Sequence, residues 1–376
     1  MTSEAREATV AVMVEPGAPF ELRSVPMPEP AEGEVLVEVV QSNVCGSDLH
    51  LWRGEMAPGF PRDVILGHEM AGRVVATGPG AERDSAGRAL APGDPVAYRY
   101  YESCGHCPTC AKGLGYQCAG SLASVLRPAS KPPYLVGGFA SHYLVGRGQA
   151  RFRIPEGLDA SVAAGANCAL AQVVQGFTQA GLRSGESVAV QGCGGLGLYA
   201  IALARSLGAG LVIAVDRVPE RLDLARRFGA HEVVSASELA EPKERTKAVR
   251  ALTGGYGADV VVEVVGKAAV IPEGLRMLAR GGRYLEMGSI VPRDRAEIDA
   301  SMLVGGNQSI LGVSLYPDRA LMEALDFLHS TTAPVDELVG AVYPLERVGE
   351  AMEAADALAR QGVAVGRVGI RPGSGG

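Results

Sequence analysis

Two rhythms of apolar positions divide the chain. In the first part, apolar residues come in short runs. Glu34-Val35-Leu36-Val37-Glu38-Val39-Val40 alternates imperfectly, as a half-buried strand does, and Ala71-Gly72-Arg73-Val74-Val75-Ala76-Thr77-Gly78 reads as another. Pro26, Pro28, Pro30, Pro92 and Pro95 punctuate between them. Short strands with frequent turns predict a compact β-rich body. Near residue 170 the rhythm changes. Ser187-Val188-Ala189-Val190-Gln191 is a short apolar strand, followed by a glycine turn and an Ala/Leu-rich helix running to Leu207-Gly208. Leu211-Val212-Ile213-Ala214-Val215-Asp216 is the next strand, and Pro219 to Phe228 is an amphipathic helix with Pro in its first turn. Asp259 to Val265 and Gly282 to Met287 are further strands. Strands alternating with helices predict a parallel sheet wound in βαβ units. A helix over about Leu345 to Arg360 and a strand over Val363 to Val368 close the chain, and Pro372 to Gly376 reads as a loose tail.

The glycine turn carries candidate chemistry. Gly192-Cys193-Gly194-Gly195-Leu196-Gly197 fits G-x-G-x-x-G, a weak match alone in a chain with 50 glycines. Its setting strengthens it: a strand precedes, a helix follows, and Asp216 closes the next strand nineteen residues after Gly197. Backbone N–H groups of Gly192, Gly194, Gly195, Leu196 and Gly197 would then approach a pyrophosphate at the positive end of the helix. The Asp216 carboxylate would accept hydrogen bonds from a ribose 2′-hydroxyl and repel a 2′-phosphate, which favours NAD over NADP. Arg217, beside it, could partner a phosphate and pulls the other way. Cys193 has no evident role beyond packing.

Seven cysteines change the picture further. Cys104, Cys107, Cys110 and Cys118 form a C-x2-C-x2-C-x7-C run that suits a closed, tetrahedral structural zinc. A nucleic-acid ribbon and a redox pair are the competing readings. The net charge of −7 disfavours the first, and the four-fold cluster disfavours the second. Cys45, His68 and Cys168 offer two thiolates and an imidazole, enough for a metal with one open position. Asp48 could orient the imidazole and Glu69 could orient or join the ligands. No spacing rule ties Cys168 to Cys45, and a lone buried Cys or His more often simply packs. With 47% hydrophobic and 20% charged residues the chain has the composition of a soluble enzyme. No apolar run reaches the length of a membrane span, and the polar start Met1 to Ala8 has no signal core, so a cytoplasmic location is expected.

The order C-G-S-D-x-H from Cys45, G-H-E from Gly67, the four-cysteine lobe and then the glycine turn resembles the zinc-dependent medium-chain alcohol dehydrogenases, over about Glu21 to Ile370. The resemblance implies an α/β protein. A β-rich, chaperonin-10-like catalytic domain would span 1–169 and 313–376, with a zinc lobe at about 98–120. A Rossmann cofactor domain would span 170–312. It also implies two zinc ions per chain: a catalytic one on Cys45, His68 and Cys168, and a structural one on Cys104, Cys107, Cys110 and Cys118. Glu69 would match the carboxylate that can exchange onto the metal, Ser47 the hydroxyl that contacts the substrate oxygen, and His50 the outer member of a proton relay. Arg367 would lie near the cofactor phosphates. The activity implied is interconversion of an alcohol and an aldehyde or ketone with NAD, in a homodimer or homotetramer, with neither nucleic acid nor membrane as partner. Two departures stand out. Gly46 sits where some members carry a basic side chain, and Asn167-Cys168 replaces the Glu-Pro pair of some polyol-type members. A zinc-free enone or quinone reductase of the same superfamily and a non-catalytic NAD-binding protein are the alternatives.

Overall fold

The computed structural model describes residues 6–56, 62–123, 125–361 and 366–373. The polar start through Ala5, the first three residues of the strand expected over Val363 to Val368, and the tail from Ser374 lie outside the described residues.

Three sheets organise the molecule. A small antiparallel one joins Glu21–Pro26, Glu7–Met13 and Val64–Ile65. A larger one runs in the order Val339–Tyr343, Arg367–Ile370, Val35–Asn43, Glu69–Thr77, Pro95–Tyr98 and Arg151–Arg153, with His142–Val145 also paired to Val35–Asn43. All its pairings are antiparallel except the one between Val339–Tyr343 and Arg367–Ile370. The strand Val35–Asn43 is buried at seven of its nine positions, so it is a two-sided core strand rather than a half-buried one. Strands flank it on both edges and apolar clusters cover both its faces.

The third sheet is parallel, in the order Glu232–Ser235, Leu211–Asp216, Ser187–Gln191, Ala258–Glu263, Leu278–Glu286, Ser309–Gly312. Numbered along the chain that order is 3-2-1-4-5-6, the doubly wound arrangement, whose ligand crevice opens at the carboxyl ends of the strands where the winding reverses. Val188, Ala189 and Val190 are fully buried because helices cover both faces of the sheet. The helix Gly195–Ser206 follows the first strand of this unit directly. The expected strand over Asp259 to Val265 ends at Glu263. There the Glu263 side chain takes the Val265 N–H, at 2.6 Å, that a continuing ladder would have used. Near the end of the chain, Leu345–Arg347 forms a 3₁₀ turn before the helix Val348–Gln361.

One apolar cluster joins the two larger sheets. It includes Ala71 and Ala97 of the larger antiparallel sheet, Val188 and Val190 of the parallel sheet, and Phe177 and Leu321 from the helices Ala171–Ala180 and Asp318–Ser330 between them. No described helix is long and apolar enough to cross a membrane.

Candidate functional site

Three distant segments meet at the first metal constellation. Cys45 is the N-cap of the short helix Gly46–Trp52. His68 immediately precedes the strand Glu69–Thr77. Cys168 sits in a π-helical turn, Ala166–Leu170, that runs into the helix Ala171–Ala180. The Leu170 N–H reaches back to the Gly165 carbonyl at 3.2 Å, so the turn accommodates an extra residue and redirects the side chains it carries, a device frequent at functional sites. Asn167, fully buried, anchors this turn. Its Oδ1 accepts the Met70 N–H at 3.1 Å and its Nδ2 donates to the Tyr98 carbonyl at 2.9 Å. The Tyr316 hydroxyl donates to the Asn167 carbonyl.

The ligand atoms of Cys45, His68 and Cys168 lie within 4.8 Å of one another, with Cys45 Sγ and Cys168 Sγ at 4.0 Å. In the lobe, Cys104, Cys107, Cys110 and Cys118 also converge within 4.8 Å, with sulfur pairs at 3.9 Å. A tetrahedral zinc with Zn–S of about 2.3 Å separates its sulfurs by about 3.8 Å, whereas a disulfide requires about 2.0 Å. Both donor sets therefore fit zinc and exclude disulfides. The lobe set is closed with four thiols; the other has three donors and leaves one position free.

Asp48 prepares the open set. Its Oδ2 accepts the Cys45 N–H at 2.9 Å, and its Oδ1 accepts the Gly67 N–H and faces His68 Nδ1, both at 3.2 Å. Because Nδ1 is engaged by a carboxylate, Nε2 is the ring nitrogen left to face the thiols; Ser47 Oγ lies 3.2 Å from it. The Tyr100 ring packs on the imidazole with centroids 4.8 Å apart. The hydrogen bond from Cys168 holds the Cys45 thiol well below its ordinary range, against the effect of burial. The same bond, burial and the Cys45 charge push Cys168 up. Burial alone would lower the His68 imidazole, but the Asp48 and Cys45 charges outweigh it and raise it well above its ordinary value. Metal loading must then displace protons, so affinity falls as pH falls. Asp48→Asn is expected to weaken zinc affinity at this set by about 10–100-fold, read by competition with a chelator. An unchanged affinity would reduce Asp48 to packing.

His50 is half-buried one helical turn from Ser47, and its Nδ1 meets Glu55 Oε2 at 2.5 Å. Glu69 is fully buried. Its Oε1 is engaged by Arg367, while Oε2 has no hydrogen-bond partner among the described residues. Arg367 belongs to the strand Arg367–Ile370. Its guanidinium also lies against the start of the helix Gly195–Ser206: a Cβ on Gly195 would stand 2.2 Å from Arg367 Nε, and the Tyr199 ring centroid is 5.7 Å away. Arg367 thus joins the metal constellation to the glycine turn. No sequence spacing signals its partnership with Glu69, 298 positions away.

In the glycine turn, Gly192 adopts a φ of +96°, which favours glycine. A Cβ on Gly197 would stand 1.8 Å from the Gly192 carbonyl oxygen, so only glycine lets the helix approach the turn this closely. Gly194 caps the helix and Leu196 lies in its first turn. The Asp216 carboxylate is held at the turn by two amides, Cys193 N at 2.7 Å and Val218 N at 2.9 Å. Arg217 points elsewhere, donating to the Arg360 carbonyl at 2.9 Å. Cys193 is buried, and its thiol is pushed up by that burial and then by the Asp216 charge.

A family model described as alcohol dehydrogenase GroES-like domain matches residues 31–156, and one described as zinc-binding dehydrogenase matches residues 195–330. The 5-exo-hydroxycamphor dehydrogenase of Pseudomonas putida is 32% identical over 349 residues, which cover 92% of this chain and 95% of that protein. Among solved structures, an alcohol dehydrogenase from Thermotoga maritima matches with a TM-score of 0.89 at 31% identity, over 97% of this chain and 99% of that one. An NADP-bound protein from Sinorhizobium meliloti 1021 matches with a TM-score of 0.82 at 28% identity, over 98% of this chain and 100% of that one.

Proposed function

Because the chain belongs to the zinc-dependent medium-chain dehydrogenases, we propose that it interconverts an alcohol and an aldehyde or ketone, with zinc on Cys45, His68 and Cys168 and a nicotinamide cofactor on the parallel sheet. The observation that carries this reading is the meeting of two thiols and an imidazole within 4.8 Å, with Arg367 linking them to the glycine turn. When bound, the zinc supplies Lewis acidity to the substrate oxygen and the nicotinamide ring takes up or returns the hydride.

The chain's own residues do the rest. Asp48 keeps the His68 proton on Nδ1. Ser47, half-buried beside His68 Nε2, takes the proton that leaves the substrate hydroxyl. His50, on the same face of the helix three residues on, carries it toward solvent. Tyr100, packed on the His68 imidazole, keeps water from that side of the reacting atoms. The catalytic unit is 1–169 with 313–376, and the cofactor unit is 170–312. NAD would be preferred over NADP because Asp216 is held where a ribose 2′-hydroxyl would meet its carboxylate, with Arg217 turned to the last helix. A second, structural zinc on Cys104, Cys107, Cys110 and Cys118 and a homodimer or homotetramer complete the reading.

Metal analysis with a substrate screen tests it. Two zincs per chain, and NADH absorbance rising with some member of an alcohol panel, are expected. A zinc-loaded protein inert across a broad panel would defeat the proposal, and zinc confined to the lobe would favour a zinc-free reductase. Cys107→Ser separates the two ions. It should lower the yield of folded protein and its thermal midpoint while leaving the specific activity of surviving molecules within about threefold, since a structural zinc contributes to folding rather than to chemistry. A variant of native stability with lost turnover would reverse that assignment.

A further inference from the structure

One acidic pair, Glu263 buried and Glu286 half-buried, has no part in this mechanism. The parallel strands Ala258–Glu263 and Leu278–Glu286 end side by side, with Glu263 and Glu286 as the last partners in register, so their side chains leave the same face of the sheet. Each shapes the turn after its own strand. Glu263 Oε1 accepts the N–H groups of Val265 at 2.6 Å and Gly266 at 2.9 Å. Glu286 Oε1 accepts the Ser289 N–H at 2.9 Å. The remaining oxygens, Glu263 Oε2 and Glu286 Oε2, are buried and meet no donor among the described residues. Adjacent strands stand about 4.8 Å apart, so this pairing at the strand ends brings the two carboxyls together on one face. Two like charges this close, each with its free oxygen buried, repel, and one proton between them would satisfy both orphaned oxygens.

These turns border the proposed cofactor crevice. A Cβ on Gly192 would stand 3.1 Å from both the Val264 carbonyl carbon and the Val265 nitrogen, so the turn after Glu263 is packed on the glycine turn. A Cβ on Gly288 would stand 2.6 Å from Gly266 N and 2.7 Å from Glu263 Oε2, so the turn after Glu286 presses on the first.

We propose that Glu263 and Glu286 share a single proton, and that this carboxyl–carboxylate bond is a clasp positioning both turns against the glycine turn for the nicotinamide cofactor. The clasp rests on the nicotinamide reading above for its functional role, and on its own geometry for its existence. Its surroundings offer no substitute charge. Gln191 partners Glu263 across the sheet, but its Nε2 donates to the Val270 carbonyl at 3.4 Å and its Oε1 accepts from the Tyr284 hydroxyl at 3.1 Å. Tyr284 stays protonated, pushed far up by burial and then by the Glu263, Glu286 and Glu273 charges. Glu273 is matched by Arg245 at 2.7 and 2.6 Å. Asp294 accepts the Ala268 N–H at 2.9 Å, and Lys267 is exposed. No described cation forms an ion pair with either carboxyl.

Burial first, and then the hydrogen bond and charge of Glu286, raise the Glu263 carboxyl to about 8, with the two turn amides opposing. The proton is therefore kept below that pH and lost above it, where two carboxylates repel and cofactor binding weakens. The test is NADH titration by fluorescence in the full protein and in Glu286→Gln, whose carboxamide can donate to Glu263 at every pH. Between about pH 7 and about pH 9.5 the native dissociation constant should rise about tenfold more than that of the variant. Glu263→Gln, which retains an acceptor oxygen for the Val265 and Gly266 amides, should flatten the profile likewise. Infrared difference spectra of the unliganded protein should show a protonated carboxyl that titrates over the same range and is missing from both variants. Parallel binding profiles, or the absence of that carboxyl band from the native protein, would overturn the proposal. If no protein bound NADH or NADPH even at about pH 7, the nicotinamide reading would fall instead, and the infrared titration would still decide whether the proton is shared.

Discussion

Cys45→Ser should lower kcat by at least about a thousandfold for whichever alcohol the native protein oxidises, because a catalytic metal needs its full set of protein donors to stay bound and polarise oxygen. A serine hydroxyl does not ionise near neutrality, so it cannot replace the thiolate that the Cys168 hydrogen bond stabilises at Cys45. Cofactor binding should survive, with the NADH dissociation constant within about threefold of native, because the groups that would hold the cofactor sit on separate elements. The glycine turn follows Ser187–Gln191, and Asp216 ends the neighbouring strand. Zinc content should drop to the lobe ion alone. Stopped-flow turnover, NADH fluorescence and metal analysis on one preparation check all three. Near-native turnover by the variant would remove the metal from the mechanism.

Arg367→Met should cause a comparably large loss, in stability. Glu69 is fully buried and the Arg367 side chain is 11% exposed. Removing the guanidinium leaves a carboxylate in the interior with no counter-charge, which costs about 3–5 kcal/mol. The double variant Arg367→Met, Glu69→Gln should recover much of that, since it deletes both charges instead of stranding one. Urea unfolding of the four members of the cycle measures the coupling. A loss below about 1 kcal/mol for Arg367→Met alone would mean that Glu69 does not need this partner.

What could be read from the chain beforehand depended on how local the cause was. The strand, turn and helix around Gly192 to Gly197 are legible because a tight turn, a close helix approach and an acidic strand end all leave marks within some thirty residues of sequence. The lobe cysteines are legible for the same reason. The Ala166–Leu170 turn is not, because its π geometry depends on Asn167 reaching Met70 and Tyr98, far away in the chain. Cys168 is visible as a residue, but its approach to Cys45 follows from that packing and from no spacing. Burial of Val35–Asn43 on both faces was hidden too, since its imperfect alternation is compatible with one covered face or two. The early end of Ala258–Glu263 has a local cause, a carboxylate competing for two backbone amides, but apolar Val264 and Val265 masked it.

Arg367 touches both Glu69 and the entry of the helix Gly195–Ser206, yet it is encoded after nearly everything else the cleft uses. While the polypeptide is still being synthesised, the metal ligands and the glycine turn can already exist without this polar link between them. Assembly of a working crevice therefore waits on translation of that arginine and docking of its strand, some three hundred residues after the glutamate it meets.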